Sequence, residues 1–146
     1  MSEHALIIRK HLPAAPDVVF DAWTTPAHMA NWLSPMTSAS VPRLDLRVGG
    51  EFQIDMHGEE KSYVHTGKYL EIDRPNKLVF TWVSEGTQQE ETVVTIELQE
   101  KAGGTELTLT HERFPSAKAK ENHTQGWTAI VEKLERVLSG DAAASA

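Results

Sequence analysis

The segments LVFTW at positions 78–82, VTIEL at positions 94–98 and TELTLTH at positions 105–111 decide the fold, because apolar and polar residues alternate along each of them. Successive side chains of a β-strand point to opposite faces of a sheet, so this alternation predicts strands with one buried and one solvated face. Turn-forming residues such as Gly103-Gly104 separate the segments at short intervals. We therefore predict an antiparallel meander.

The same alternation predicts more strands toward the N-terminus, over residues 5–12, 44–48, 52–56 and 63–72. Gly49-Gly50 provides a turn after the second of these. Proline and small polar residues predict a loop over residues 34–41. The chain should thus contain about seven strands in total.

Three helices complete the layout. Pro16 is suited to the first turn of a short helix, and Thr24-Thr25-Pro26 ends that helix and opens a second short one. Residues 116–139 predict a long C-terminal helix whose apolar side chains follow helical spacing: Trp127, Ile130, Val131, Leu134, Val137 and Leu138. We expect one domain over residues 1–140 and a disordered tail over residues 141–146.

These elements predict an α+β fold in which a curved antiparallel sheet of about six or seven strands wraps around the long helix. A sheet with one apolar face needs a cover, and a helix about 10 Å across is too narrow to fill a strongly concave face. The geometry favours a space between sheet and helix that holds a ligand. A tightly collapsed core without a cavity is the alternative.

Charge and composition exclude several classes of function. The net charge is -7, and the densest basic patch is only Arg9-Lys10-His11, which argues against nucleic acid or an anionic membrane surface as a partner. No apolar run approaches the roughly 20 residues of a membrane span, and no signal peptide is recognisable. The chain has no cysteine. We expect a cytoplasmic protein.

No catalytic or cofactor motif is present. Pro115 stands where a zinc-protease motif beginning at His111 would need its second histidine, and Tyr69 follows Gly67-Lys68 where a phosphate loop would need Ser or Thr. His57, near Glu59 and Glu60, reads as a solvent-facing turn residue without a metal-binding pattern. We therefore predict no metal site and no cofactor, and whether the protein is an enzyme stays open.

A series of motifs in the same order resembles one superfamily: APDVVFDAW (15–23), NW (31–32), DLRVGG (45–50), GKYLEI (67–72), LVFTW (78–82), GTELTLTH (104–111) and GW (126–127). The chain is similar to the SRPBCC, or START-like, superfamily, whose fold is called helix-grip. Within it, the chain resembles the branch named for the activator of the 90-kDa heat-shock protein's ATPase. The resemblance covers about residues 5–138.

The resemblance implies a cavity between the sheet and the long helix that binds a small hydrophobic or amphipathic molecule. Two other functions stay open. One is a cyclase or hydrolase that acts on a polyketide-like substrate, with His111 or a tyrosine as the acid–base group. The other is an interaction module with a chaperone as its protein partner. Fold alone does not separate these functions.

The candidate ligand-binding residues have sheet-face or helix-face spacing, or flank the short helices as gate residues. They are Trp32, Met36, Phe52, Phe80, Trp82, Leu107, Leu109, His111, Trp127, Ile130, Val131 and Leu134. Plain core packing is the alternative for each, and a structural hydrogen bond is the alternative for His111. Tyr63, His65 and Tyr69 share one face of their strand, but the sequence does not show whether that face is inward.

Overall fold

The computed structural model describes residues 5–34 and 38–139. Met36 and the predicted tail over residues 141–146 lie outside the described residues. The helices and strands are β1 (Leu6–Leu12), α1 (Pro16–Thr24), α2 (Pro26–Trp32), β2 (Ser38–Leu44), β3 (Glu51–His57), β4 (Ser62–Asp73), β5 (Lys77–Trp82), β6 (Thr92–Lys101), β7 (Gly104–Glu112) and α3 (Ala117–Leu138). A short 3₁₀ turn, Glu85–Thr87, lies between β5 and β6.

The strands form a seven-stranded sheet in the order β1-β7-β6-β5-β4-β3-β2, and every pairing is antiparallel. Strands β2 to β7 therefore follow one another as a meander, while β1 returns to pair with β7. The prediction of an α+β fold with an antiparallel sheet and a long C-terminal helix is confirmed. No helix within residues 5–34 and 38–139 is long and apolar enough to cross a membrane.

Alternation along the strands places the apolar residues on the face toward α3. Phe52, Ile54 and Met56 of β3 are all buried there. On β4 the same face carries His65 and Tyr69, which settles the inward direction that the sequence left open. The bulge in β4 lies after Tyr69, where the pairing with β5 shifts register, so it leaves both residues on the inner face.

The prediction for β2 was wrong in position. Residues 38–41 belong to the strand rather than to a loop, and the strand ends at Leu44 instead of beginning there. Leu46 and Val48, predicted to be strand residues with a buried face, are 42% and 63% exposed. Both residues lie after the end of β2, in the turn before β3. Strand β2 is an edge strand that pairs on one side only, with a register shift between Ser40 and Arg43 that accommodates Pro42.

Helix α3 packs across the inner face of the sheet. Ser116 caps it by accepting a hydrogen bond from Ala119 N at 3.1 Å, as a helix start near residue 116 requires. Lys10 of β1 pairs with Glu135 at 3.0 Å, and Lys133 Nζ donates to Ser34 O at 2.8 Å. Most of the space beneath α3 is filled by side chains, so the structure combines a packed core with a pocket at one end.

Candidate functional site

A pocket of about 160 Å³ opens between the inner face of the sheet and the N-terminal half of α3. Strands β3, β4 and β5, the 3₁₀ turn and α3 all contribute to its lining. The lining residues are Met56, Tyr63, His65, Trp82, Ser84, Gly86, Asn122, His123, Gly126, Trp127 and Ile130.

Two tryptophans form the apolar walls of this pocket. The rings of Trp82 on β5 and Trp127 on α3 lie 5.2 Å apart, centroid to centroid, and both side chains are buried. Met56 and Ile130 extend the apolar surface. Flat, buried aromatic surface of this kind favours contact with apolar or aromatic molecules.

His65 brings a polar group to the pocket from β4. Its Nδ1 donates to the backbone oxygen of Tyr63 at 3.0 Å, and its ring lies 4.9 Å from the Trp82 ring. The pKa of His65 is lowered from 6.5 to about 4, mainly by burial; the hydrogen bond to Tyr63 O opposes this shift, and the nearby His123 adds to it. His65 is therefore uncharged at neutral pH.

His123 faces the same pocket from α3. Its Nδ1 donates to Ala119 O at 2.9 Å, one turn earlier in the helix, so the neutral ring keeps an acceptor lone pair on Nε2. The Cε1–Nε2 edge of the ring lies against Gly86, where an added Cβ would be 3.1 Å from Cε1. Burial lowers the pKa of His123 below its ordinary value.

His111, the histidine predicted to bind the ligand, is fully buried and does not line the pocket. Trp127 Nε1 donates to His111 Nδ1 at 2.9 Å, which fixes the proton of His111 on Nε2. That Nε2–H donates to Thr92 Oγ1 at 2.7 Å, and Thr92 Oγ1 donates to Trp82 O at 2.5 Å. Burial, followed by the influence of His123, holds the pKa of His111 well below its ordinary value. Both ring nitrogens of His111 thus form hydrogen bonds within the protein.

Gly126 leaves a gap in the wall formed by α3. It lies in the interior of the helix, where glycine costs about 1 kcal/mol relative to alanine. A Cβ added at Gly126 would meet no atom within 4 Å. The missing side chain therefore keeps part of the pocket open, although nothing in the packing excludes alanine.

A much smaller void of about 10 Å³ lies deeper in the core, and Trp82 lines both it and the pocket. The other lining residues of the void are Trp23, Met29, Leu33, Phe52, Ile54, Tyr69 and Phe80. The Nε1 atoms of Trp23 and Trp82 are buried and have no hydrogen-bond partner in the described part of the chain. Burial raises the pKa of Tyr69, so its phenol stays protonated.

Comparison with known proteins gives the family. The family model described as "Activator of Hsp90 ATPase homolog 1-like protein" matches residues 13–139. The chain belongs to this family. No curated protein matches the chain.

Solved structures of similar proteins share the fold. Protein CV1439 from Chromobacterium violaceum superposes with a TM-score of 0.85 at 24% identity, over 92% of this chain and 96% of that one. The AHSA1 protein SPO3351 from Silicibacter pomeroyi gives 0.77 at 24% identity, over 92% and 97%. CalU16 from Micromonospora echinospora gives 0.70 at 27% identity, over 94% and 78%. These solved structures thus share the helix-grip fold of this chain.

The structure of this family member separates the residues predicted to bind a ligand into three groups. Trp82, Trp127 and Ile130 line the pocket. Phe52 and Phe80 line the small void. The remaining described candidates are buried in the core and line neither space: Trp32, Leu107, Leu109, His111, Val131 and Leu134.

Sequence reasoning missed part of the pocket in this AHSA1-like domain. His123 was not considered, although its position four residues before Trp127 places both on one side of α3. Asn122 and Gly126 fall in the same stretch and were also missed. No group of three or more His, Asp or Glu side chains suited to a metal ion occurs among residues 5–34 and 38–139.

Proposed function

We propose that this AHSA1-like domain binds a small, neutral, largely apolar ligand in the pocket whose walls include Trp82 and Trp127. The observation that carries the proposal is the aromatic-walled pocket between sheet and α3, which is open on one side and has neutral His65 and His123 on its walls. A site of this composition supports binding through apolar contact with a few oriented polar groups.

The size of the pocket favours a ligand with one aromatic ring or a body of similar volume. Cavities of about 150 Å³ with apolar walls hold molecules as large as benzene. Uncharged histidines add to the preference for neutral ligands, because a protonated histidine on these walls would attract anions instead. A charged ligand would also lose its hydration without gaining an ion pair from His65 or His123.

Binding is better supported than acid–base catalysis by His111. The Trp127 indole and the Thr92 hydroxyl occupy both nitrogens of that ring, and the ring is fully buried. A general acid or base must reach the substrate within hydrogen-bond distance. The hydrogen bonds of His111 therefore support a structural role in orienting Trp127.

A thermal-shift screen against neutral single-ring aromatics, with charged analogues of the same size as comparison, tests this function. A ligand at 100 times its Kd stabilises the folded state by about 2.7 kcal/mol, which raises the Tm by several degrees. We expect neutral compounds to raise the Tm more than their charged analogues. No Tm shift for any neutral compound at saturating concentration contradicts the proposal.

Two leucine variants locate the binding site. Gly126→Leu should fill the pocket from α3 without a backbone clash, since the added Cβ meets open space. Gln125→Leu adds the same side chain at the preceding, exposed position and serves as the matched control. We expect the ligand-induced Tm shift to disappear in Gly126→Leu and to persist in Gln125→Leu. An unchanged shift in Gly126→Leu would place the ligand elsewhere.

A further inference from the structure

We propose that the ligand carries a hydrogen-bond-accepting oxygen, such as a ketone or ether oxygen, and that the buried indole N–H groups of Trp23 and Trp82 bind it. The inference rests on the proposed function and adds the chemical class of the ligand to it. The apolar body would occupy the pocket, and the oxygen would reach inward past Trp82 into the void.

The first argument is the hydrogen-bond state of the four tryptophans. Trp32 Nε1 donates to Ala22 O at 3.2 Å, and Trp127 Nε1 donates to His111 Nδ1 at 2.9 Å. Trp23 and Trp82 are equally buried, yet neither has an acceptor among the described residues. A buried donor without an acceptor is costly and rare in folded proteins, so Trp23 and Trp82, which both line the void, call for an acceptor that the described residues do not supply.

The second argument is that the polar groups around the void are hydrogen-bond donors. An indole N–H can only donate, and the Tyr69 phenol keeps its proton because burial raises its pKa. Hydrocarbon side chains and the Met29 thioether supply the rest of the lining. A hydrogen-bond donor of the ligand could bond here only to the Tyr69 phenol oxygen or, weakly, to the Met29 sulfur. An acceptor oxygen of the ligand could accept from the indoles of Trp23 and Trp82.

The third argument is position and size. Trp82 lines both the pocket and the void. An oxygen that accepts a hydrogen bond from its indole can therefore belong to the same ligand whose apolar body contacts its ring. The void measures about 10 Å³, roughly the space that one water-sized atom needs. A ring does not fit this volume, but a single oxygen does.

A matched pair of probes tests the inference. Acetophenone and α-methylstyrene have nearly the same shape, but only the ketone presents an acceptor oxygen. We expect acetophenone to bind roughly fivefold to tenfold more tightly in an NMR titration, which is the usual net effect of one or two hydrogen bonds. Trp82→Phe should reduce that preference, since an aromatic ring remains at this position but one of the two N–H donors is lost.

The indole signals of the ¹⁵N-labelled wild-type protein give a readout that does not depend on a variant's folding. Acetophenone, compared with α-methylstyrene, should move the Trp23 and Trp82 indole protons downfield. The Trp32 indole already has an acceptor and lines neither space, so its signal is the internal control.

The outcomes distinguish the proposed acceptor oxygen from the proposed binding of a neutral apolar ligand, on which it rests. Equal affinities for acetophenone and α-methylstyrene, without a ketone-specific chemical-shift change at the Trp23 or Trp82 indole proton, overturn the inference. Binding of α-methylstyrene in that case still supports the proposed function. A long-lived water detected on either indole in the acetophenone complex also overturns the inference, because water then supplies the acceptor. Failure of both probes to bind at millimolar concentration overturns both proposals.

Discussion

His65, His111 and His123 show how single residues of one type acquire different roles at one end of the sheet. Burial keeps the pKa of each below its ordinary value, so all three are neutral at pH 7. Both ring nitrogens of His111 form hydrogen bonds, to Trp127 and Thr92. His65 and His123 instead donate from Nδ1 to backbone oxygens and line the pocket. The tautomers are thus set by neighbouring groups within the chain.

The lowered pKa of His65 predicts that the protein loses stability on mild acidification. The unfolded chain binds a proton near pH 6.5, but folded His65 does so only near pH 4, so the unfolded state gains protons first as the pH falls. Stability is therefore full above pH 6.5 and decreases toward pH 4. His65 alone should cost about 2 kcal/mol at pH 5, measured as the free energy of unfolding in urea.

Two variants separate this effect from general acid denaturation. His65→Gln should make the slope of stability against pH shallower between pH 6.5 and pH 4, because glutamine does not titrate, while His111 and His123 keep their contributions. His28→Asn, at an exposed position on α2, should leave the slope as in the wild type. A wild-type slope in His65→Gln would show that burial of His65 does not cause the acid sensitivity.

Thr92 gives a second prediction for a single residue. Thr92→Val keeps the shape of the side chain but leaves His111 Nε2–H without its acceptor in a fully buried site. We expect a loss of about 1–3 kcal/mol in the free energy of unfolding. Thr95→Val, on the opposite face of the same strand, is the matched control and should change stability much less. Equal losses in the two variants would mean that the His111 network adds no stability.

The secondary-structure elements differ in how well the sequence predicts them, and the reason is how each one is buried. Strands β3, β5, β6 and β7 bury one face fully, so alternation is strong and predicts them well. Edge strand β2 buries little, which lets it contain Pro42 and small polar residues that indicate a loop. Helix α3 has an apolar face and a Ser cap, and its bounds follow from both.

Gly126 gives a prediction for helix α3. Gly126→Ala should stabilise the protein by about 1 kcal/mol, since alanine favours the helix and its Cβ meets open space. Gly104→Ala is the contrasting variant, because its Cβ would lie 2.3 Å from Leu12 O and should destabilise the protein. The free energy of unfolding measures both. Destabilisation by Gly126→Ala would mean that the helix needs glycine there for packing rather than for the pocket.

For the whole molecule, the meander brings distant parts of the chain to one end of the sheet. Strand β4 supplies His65, β5 supplies Trp82, and α3 supplies His123 and Trp127. The sequence predicts that strands and helix pack together, but the end at which a pocket remains depends on how α3 crosses the sheet. This is why Trp82 and Trp127 could be predicted and His123 was missed.

Core packing limits how far the sequence separates ligand contacts from structural contacts. Leu107, Leu109 and Leu134 have the same inward spacing as pocket residues, yet they fill the centre of the core. A period-two or helical pattern of apolar residues indicates which face of an element is buried. It does not indicate whether that face contacts other side chains or a ligand. The fold class therefore follows from the sequence more completely than the site does.

The most direct test of the central claim is a crystal structure of the protein soaked with the strongest neutral ligand from the thermal-shift screen. We expect the ligand in the pocket, against the edges of Trp82 and Trp127 that line it, in contact with His65 and His123. A second groove, lined by Arg43, Gln53, Lys68 and Glu91 among others, lies elsewhere on the sheet and gives a clear alternative position. Ligand found only in that groove, with the Trp82–Trp127 pocket closed by side chains, would contradict the account.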